Sequence, residues 1–329
     1  MKIFVTRPIS EVGINLLKSK GYEVLVNEKA ENRAATKEEM IAALRQAQGE
    51  GKPFNAILSI LTDKIDSEVM DAGAPTLKII ANYAVGFDNI DLEAAKQRNL
   101  MVTNTPGVLT NTVAEHTFTL MLSIAHRISE ADRFSRSGKY KAWGPSLLLG
   151  TDLSGKTLGI VGLGRIGSRV ALHAVKGFEM KVLYNDTKSN PEFEKEFGAQ
   201  YFEKLDEMLP RCDFVSIHVP LLDSTHHLIN DARLNLMKRS AYLINTSRGP
   251  IVDEKALALS LSKGVIRGAA IDVFEFEPEI TPELKGLENI ILTPHIASAT
   301  EETRNKMAEM AAANIIEALE GRTPPNLVK

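Results

Sequence analysis

Short apolar runs separated by longer amphipathic stretches recur from one end of the chain to the other. That alternation is the pattern of a parallel sheet covered by helices, because strands buried on both faces need unbroken apolar side chains whereas a crossover helix needs one apolar face. In the first third, Lys2–Thr6, Glu23–Val26, Ala56–Ile60, Lys78–Ala81 and Met101–Thr103 predict five strands. Helices are predicted between them at Ser10–Lys20, Thr36–Ala47, Ser67–Gly73 and Asp91–Arg98. A long helix follows from about Thr112 to Ser137, with Ala114, Phe118, Met121, Leu122 and Ala125 on one face. After Gly150 a second series predicts strands at Thr157–Val161, Lys181–Tyr184, Phe214–His218, Ala241–Asn245, Gly268–Ile271 and Ile290–Leu292. The last amphipathic stretch, Glu301–Glu320, has no strand after it and is expected to cross back onto the first unit.

Composition narrows the class without naming a function. A chain of 329 residues is long enough for two cores, and its 44% apolar and 25% charged residues are those of an ordinary globular protein. The net charge of -3, with basic residues scattered, gives no electrostatic reason to expect nucleic acid or an anionic membrane as partner. Cys212 is the only cysteine, so an intrachain disulfide and any metal site with two thiolates from one chain are excluded, and no metal is expected. Lys2–Thr6 is too short for the apolar part of a signal peptide and no stretch could span a bilayer, so a soluble cytoplasmic protein is expected.

The first chemical signal is Gly162-Leu163-Gly164-Arg165-Ile166-Gly167, which follows a predicted strand and opens a helical run. Three glycines at this spacing suit a tight turn, close approach of a pyrophosphate to the backbone, and close helix–strand packing. The helix start adds N–H groups and positive potential for phosphate. The pattern also needs an acid about 20 residues on, at the end of the next strand, and Asp186 stands there. A carboxylate in that place can accept both ribose hydroxyls and repels a 2′-phosphate, which predicts NADH in preference to NADPH. Lys188 works against strict discrimination. Tyr184 and Lys188 have the spacing of a short-chain dehydrogenase pair, but they lie beside the expected ribose and are read as coincidence.

Three later segments each put polar groups after a predicted strand: Asn245-Thr246-Ser247-Arg248-Gly249, Asp272-Val273-Phe274-Glu275-Phe276-Glu277-Pro278, and Thr293-Pro294-His295-Ile296-Ala297-Ser298. Open α/β sheets bind ligands at that end of their strands. In this order after the glycine turn, the segments resemble the D-isomer-specific 2-hydroxyacid dehydrogenase family, over nearly the whole chain. Residues 82–91 (NYAVGFDNID) and 102–110 (VTNTPGVLT) resemble its glyoxylate and hydroxypyruvate reductase branch in particular. The resemblance implies an α/β protein of two doubly wound parallel-sheet domains with a cleft between them. Residues 1–104 and 296–329 would form a flavodoxin-like substrate domain, and 105–295 a Rossmann NAD-binding domain.

The same resemblance implies roles. Arg248 would hold the substrate's carboxylate and carbonyl oxygen with its planar fork. His295 would deliver the proton to the developing alkoxide, and Glu277 would orient that imidazole and favour its charged form. Taken singly, Arg248 reads as an exposed turn residue and Glu277 as one solvated glutamate among three; the motifs single them out. Val85 and Gly86 would meet the substrate carboxylate through backbone N–H groups, with Leu61 walling the pocket. Thr112, Arg165, Ile166, Val219, Pro220, Thr246, Ser247, Arg248, Asp272, His295 and Ser298 would join Gly162, Gly164, Gly167 and Asp186 around the cofactor. His218 is placed near the cofactor, while His116, His126, His173, His226 and His227 are read as surface or packing residues. Trp143, the only tryptophan, would reach toward the partner subunit's active site in a homodimer built through the 112–137 helix and the Trp143 loop.

The implied activity is reduction of glyoxylate, hydroxypyruvate or a similar small 2-oxo acid to the D-2-hydroxy acid. D-Lactate or phosphoglycerate dehydrogenase activity fits the same motifs, as does a non-catalytic NADH-sensing scaffold. A formate or phosphite substrate is a further alternative, but formate enzymes of this superfamily carry glutamine where Glu277 stands, so Glu277 argues against it.

Overall fold

The computed structural model describes residues 1–31 and 33–328. It divides into two compact units, one formed by Met1–Leu109 with the segment from Ala299 onward, the other by Thr110–Ser298.

The first unit is a five-stranded parallel sheet of β1 (Lys2–Val5), β2 (Glu23–Val26), β3 (Ala56–Ile60), β4 (Ile79–Tyr83) and β5 (Met101–Thr103), in the order β2-β1-β3-β4-β5. Phe4, Ile57, Ile80 and Val102 stand in one cross-strand row and are all buried, so the register is held by a continuous apolar stripe. Helices α1 (Glu11–Ser19), α2 (Lys37–Gly49), α3 (Ser67–Gly73) and α4 (Leu92–Gln97) connect the strands. Their starts are written in the chain: Thr36 and Glu39 form a reciprocal capping box, and Asp66 and Asp91 accept the first free N–H groups of α3 and α4. The terminal helix Glu301–Leu319 returns to this unit and packs on α1 and β4. A Cβ on Gly13 would lie 2.6 Å from the Ala308 carbonyl oxygen, so α1 and the terminal helix touch backbone to backbone. Tyr83 adds an O–H bond to the Arg304 carbonyl at 2.7 Å.

The second unit opens with α5 (Thr110–Ala125) and α6 (Ile128–Arg136). These replace the single helix expected over 112–137. Arg127 adopts a left-handed backbone (φ 58°), and the Ala125 carbonyl accepts the Thr151 N–H at 2.9 Å. Gly150 packs so closely there that a Cβ would lie 2.4 Å from that carbonyl oxygen. A distant loop ends the helix, and no local glycine or proline announces the break. Seven parallel strands follow: β6 (Thr157–Val161), β7 (Lys181–Asn185), β8 (Gln200–Tyr201), β9 (Phe214–Ile217), β10 (Tyr242–Asn245), β11 (Gly268–Ile271) and β12 (Ile290–Leu292). Their order is β12-β11-β10-β9-β6-β7-β8. The two-residue β8 has no apolar run to predict it. Helices α7 (Arg165–Phe178), α8 (Pro191–Phe197), α9 (Leu205–Met208), α10 (Asp231–Leu236), α11 (Glu254–Ser262) and α12 (Pro282–Lys285) fill the connections. From β6 the chain builds outward first to β7 and β8, then on the other side from β9 to β12. That reversal puts a crevice beyond the carboxyl ends of β6 and β9, where such sheets take ligands. Among the described residues, no helix is long and apolar enough to cross a membrane.

Candidate active site

The glycine turn leaves β6 at that reversal. Gly162 has φ +96°, and a Cβ there would lie 2.9 Å from the His218 carbonyl carbon and the Val219 nitrogen, so both conformation and space demand glycine. Gly167 is tighter still, since its Cβ would lie 2.1 Å from the Gly162 oxygen. Gly164 is the cap of α7, has no side-chain cap, and faces open space. The start of α7, with Arg165 exposed and Ile166 half-buried, is therefore bare backbone N–H directed at an open surface. Asp186, just past β7, accepts the Leu163 N–H at 2.7 Å through Oδ2 and the Thr187 N–H at 2.6 Å through Oδ1. Leu163, Asp186, Lys188 and Asn190 line an adjoining groove of about 510 Å³.

His218 follows β9 and bonds Ser216 Oγ through Nε2 at 2.8 Å. Protein packed around its ring disfavours the charged form and pulls its pKa down to about 3, so it is neutral at working pH. The next residues, Val219 and Pro220, are progressively exposed, and the Val219 carbonyl accepts the Ser247 hydroxyl.

At the end of β10, the buried Asn245 shapes the Arg248 turn: its Oδ1 accepts the Ser247 N–H at 3.0 Å and its Nδ2 donates to the Arg248 carbonyl at 2.9 Å. Arg248 Nη1 donates to the Ser247 carbonyl at 2.9 Å. The Thr246 hydroxyl pairs with that of Thr117 on α5 at 2.9 Å. Gly249 closes the turn, and a Cβ on it would lie 1.9 Å from the carbonyl carbon and oxygen of Phe274. The Arg248 turn thus abuts the backbone that leads into Glu277.

Beyond β11, Glu277 folds back so that Oε1 accepts the Phe274 N–H at 2.9 Å. His295 Nδ1 lies 2.9 Å from Glu277 Oε2 and 3.2 Å from Oε1. This pairing commits Nδ1 and leaves Nε2 as the nitrogen for exchange with a ligand. His295 itself has φ +53°, a conformation costing a non-glycine residue on the order of 1–3 kcal/mol unless its surroundings impose it. Asp272, fully buried, imposes it. Its carbonyl accepts the His295 N–H at 2.8 Å, its Oδ1 the Ile296 N–H at 2.9 Å and the Thr293 hydroxyl at 2.7 Å, and its Oδ2 the Ala297 N–H at 2.8 Å. Burial by itself would raise the Asp272 carboxyl, but the bonds from His116, Thr293, Ile296 and Ala297 outweigh it and hold the group below the usual carboxylate range.

The comparisons decide the family. Residues 118–297 match the model of the D-isomer specific 2-hydroxyacid dehydrogenase, NAD binding domain. The chain is 49% identical to a glyoxylate reductase of Korarchaeum cryptofilum, across 99% of this chain and 95% of the relative. It belongs to the D-isomer-specific 2-hydroxyacid dehydrogenases. Among solved structures, the TT0316 protein of Thermus thermophilus superposes with a TM-score of 0.91 at 42% identity, covering 100% of both chains. An NADPH-dependent glyoxylate/hydroxypyruvate reductase of Sinorhizobium meliloti, solved with NADP and malonate, gives a TM-score of 0.85 at 31% identity, covering 99% of this chain and 96% of its own.

A dehydrogenase of this family uses a nicotinamide cofactor, and the second unit fits one: the uncapped start of α7 opens on free space at Gly164, in a turn so tight that Gly162 and Gly167 have no room for a Cβ. Leu61, Val85 and Gly86 lie in the other unit, just past β3 and β4. There Asn82 Nδ2 donates to the Gly86 carbonyl and Asn104 Nδ2 to the Val85 carbonyl, each at 2.8 Å, shaping the 84–87 turn. Thr112, near the start of α5, and Ser298, just past the His295 turn, are half-buried. Two histidines read as bystanders are engaged. His116 Nε2 stands 3.4 Å from Asp272 Oδ1, and His227 Nε2 stands 2.7 Å from Glu275 Oε1. Neither has a neighbour along the chain that signals this, since both partners come from the segment that follows β11. His173, by contrast, packs edge-on against Phe118 as a packing residue should.

Proposed function

We propose that this dehydrogenase reduces glyoxylate and closely related small 2-oxo acids to 2-hydroxy acids of D configuration, with NADH as the preferred reductant. The observation that carries the reading is the His295–Glu277 pair, held after the sheet of a domain that matches the NAD-binding domain of these enzymes. Relatives in Korarchaeum cryptofilum and Pyrococcus furiosus that match across 99% of the chain are glyoxylate reductases.

When bound, a reduced nicotinamide supplies the hydride. The chain's own residues do the rest. The start of α7 and Gly164 hold phosphate, and Asp186 accepts ribose hydroxyls. Arg248 grips the 2-oxo acid by carboxylate and carbonyl oxygen, drawing electron density from C2. His295 gives its Nε2 proton to the oxygen as negative charge develops there, and Glu277 orients the ring through Nδ1. Val85 and Gly86 are assigned to the substrate carboxylate and Leu61 to the pocket wall. Asp272 acts through His295, by fixing the 293–297 turn.

A carboxylate at Asp186 disfavours a 2′-phosphate, which supports NADH, whereas exposed Lys188 offsets part of that preference. A homodimer through α5, α6 and the Trp143 loop is supported by the apolar side chains left in water there, Trp143 at 80%, Leu149 at 58% and Ile128 at 55% exposure. The deciding experiment is turnover of glyoxylate, hydroxypyruvate and pyruvate with NADH and with NADPH. Glyoxylate with NADH is expected to give the highest kcat/KM, and D186A to narrow the gap between the two cofactors. Tight NADH binding with no turnover of any of the three would favour an NADH-sensing scaffold instead. Light scattering of wild type and W143A tests the dimer.

A further inference from the structure

We infer that His226, His227 and Glu275 form a binding site for a divalent transition-metal ion of the zinc class, separate from His295 and Glu277. One donor atom from each lies within 4.8 Å of the other two, and no other group of three such residues does so among the described residues. The two imidazoles stand side by side with centroids 4.1 Å apart, and His227 Nε2 is 2.7 Å from Glu275 Oε1. Tetrahedral zinc with nitrogen and oxygen ligands at ~2.0–2.2 Å spaces its donors roughly 3.3–3.6 Å apart. Small side-chain rotations bring these three to that spacing, and the metal takes the place of the proton shared by His227 and Glu275.

The scaffold is already fixed on both sides. Thr225 Oγ1 donates to the Pro220 carbonyl at 2.7 Å and accepts the Leu222 N–H at 2.8 Å. The His227 N–H is held by the Pro250 carbonyl at 2.8 Å and that of Ile229 by the Ile251 carbonyl at 3.0 Å. These bonds keep His227 at φ +48°, a backbone that few non-glycine residues adopt. Glu275 is clamped by the buried Glu254: its N–H donates to Glu254 Oε1 at 2.8 Å, while its Oε2 accepts the Glu254 N–H at 3.3 Å. Its other oxygen is left facing His227. His226 is exposed and His227 is 35% exposed at the side chain, so an ion has access and water can complete the coordination. Two imidazoles with one carboxylate select zinc, nickel or copper over calcium or magnesium, which require oxygen ligands.

The test is calorimetric titration of Zn²⁺ into metal-stripped, untagged protein, with Co²⁺ absorption as a second readout. One ion per chain is expected, with affinity falling at least about tenfold in H226A, by loss of one ligand of three. H226A removes an exposed side chain and spares the His227–Glu275 bond, so its turnover without metal is expected to match wild type. H227Q and E275Q are expected to abolish the site. Absence of saturable Zn²⁺ binding overturns the inference. So does an affinity unchanged in H226A, or binding that is lost in H295N.

Discussion

The closest backbone approach near the candidate active site is at Gly249, and it yields the sharpest prediction. Its φ is not in the left-handed region, so alanine there meets no conformational penalty and the perturbation is purely steric. The added Cβ would lie 1.9 Å from the carbonyl carbon and oxygen of Phe274 and 2.4 Å from the Glu275 nitrogen, all backbone atoms that no rotamer change can move. Ordinary contact begins at 3.4 Å, so the two segments must separate by up to about 1.5 Å. Overpacking of this kind costs ~1–3 kcal/mol, and more where only backbone can give way. The same movement reaches Glu277, because the Phe274 N–H holds its carboxylate. A misplacement of about 1 Å in catalytic groups costs on the order of 100-fold in rate. G249A is therefore expected to lose stability and about 100-fold in kcat. Thermal unfolding by circular dichroism and the steady-state loss of NADH absorbance with glyoxylate measure the two. G286A, whose Cβ would meet nothing within 4 Å, is the control and should match wild type in both. Stability and kcat of G249A within twofold of that control would show that the Arg248 turn and the Glu277 segment do not pack as described.

Three further outcomes are expected. E277Q keeps an acceptor for the Phe274 N–H but loses the charge beside His295; removing a hydrogen bond to a charged group, worth ~1.5–3 kcal/mol, should lower kcat about 10- to 150-fold. E279Q, altering an exposed neighbour, should leave kcat unchanged. Asp272 has a depressed carboxyl pKa, so its stabilising contribution is fully present above the ordinary value of 3.8 and is lost as pH falls through the lower folded value. The stability gap between wild type and D272N in urea titrations should therefore be constant near neutrality and shrink below about pH 4; a gap independent of pH would contradict the bonding described. Burial pushes the Cys212 thiol up to about 12 and its Sγ donates to the Met208 carbonyl at 3.3 Å, so it should react with a thiol reagent at pH 8 only after denaturation.

Much of this molecule is legible along the chain because its signals are local. The strand runs Glu23–Val26, Ala56–Ile60, Met101–Thr103, Thr157–Val161, Gly268–Ile271 and Ile290–Leu292 begin and end where the apolar pattern does. A strand buried on both faces, as Gly268–Ile271 is, has no other composition available, whereas the edge strand Glu23–Val26 is partly exposed. The glycine turn is legible for the same reason: a strand, three glycines and a helix start are contiguous, and Asp186 is reached at a set distance along the next strand. Glu277 and His295 could be named from motifs and their pairing came from the family resemblance, while the contact itself depends on β11 and β12 lying side by side.

What only the tertiary structure decided is wherever a distant partner overrides local preference. The residues 112–137 carry no breaker, yet the helix stops at Ala125 because Thr151, brought in by the Gly150 loop, takes its carbonyl. His116 and His227 look like any other histidines until Asp272 and Glu275 are folded against them. Asp272, expected as a cofactor contact, has its carboxylate taken up by the turn that carries His295. Residue type and spacing set which groups are available to this enzyme; sheet order and backbone packing set which of them meet, because hydrogen bonds and steric contacts act over a few ångströms of space and are blind to distance along the chain.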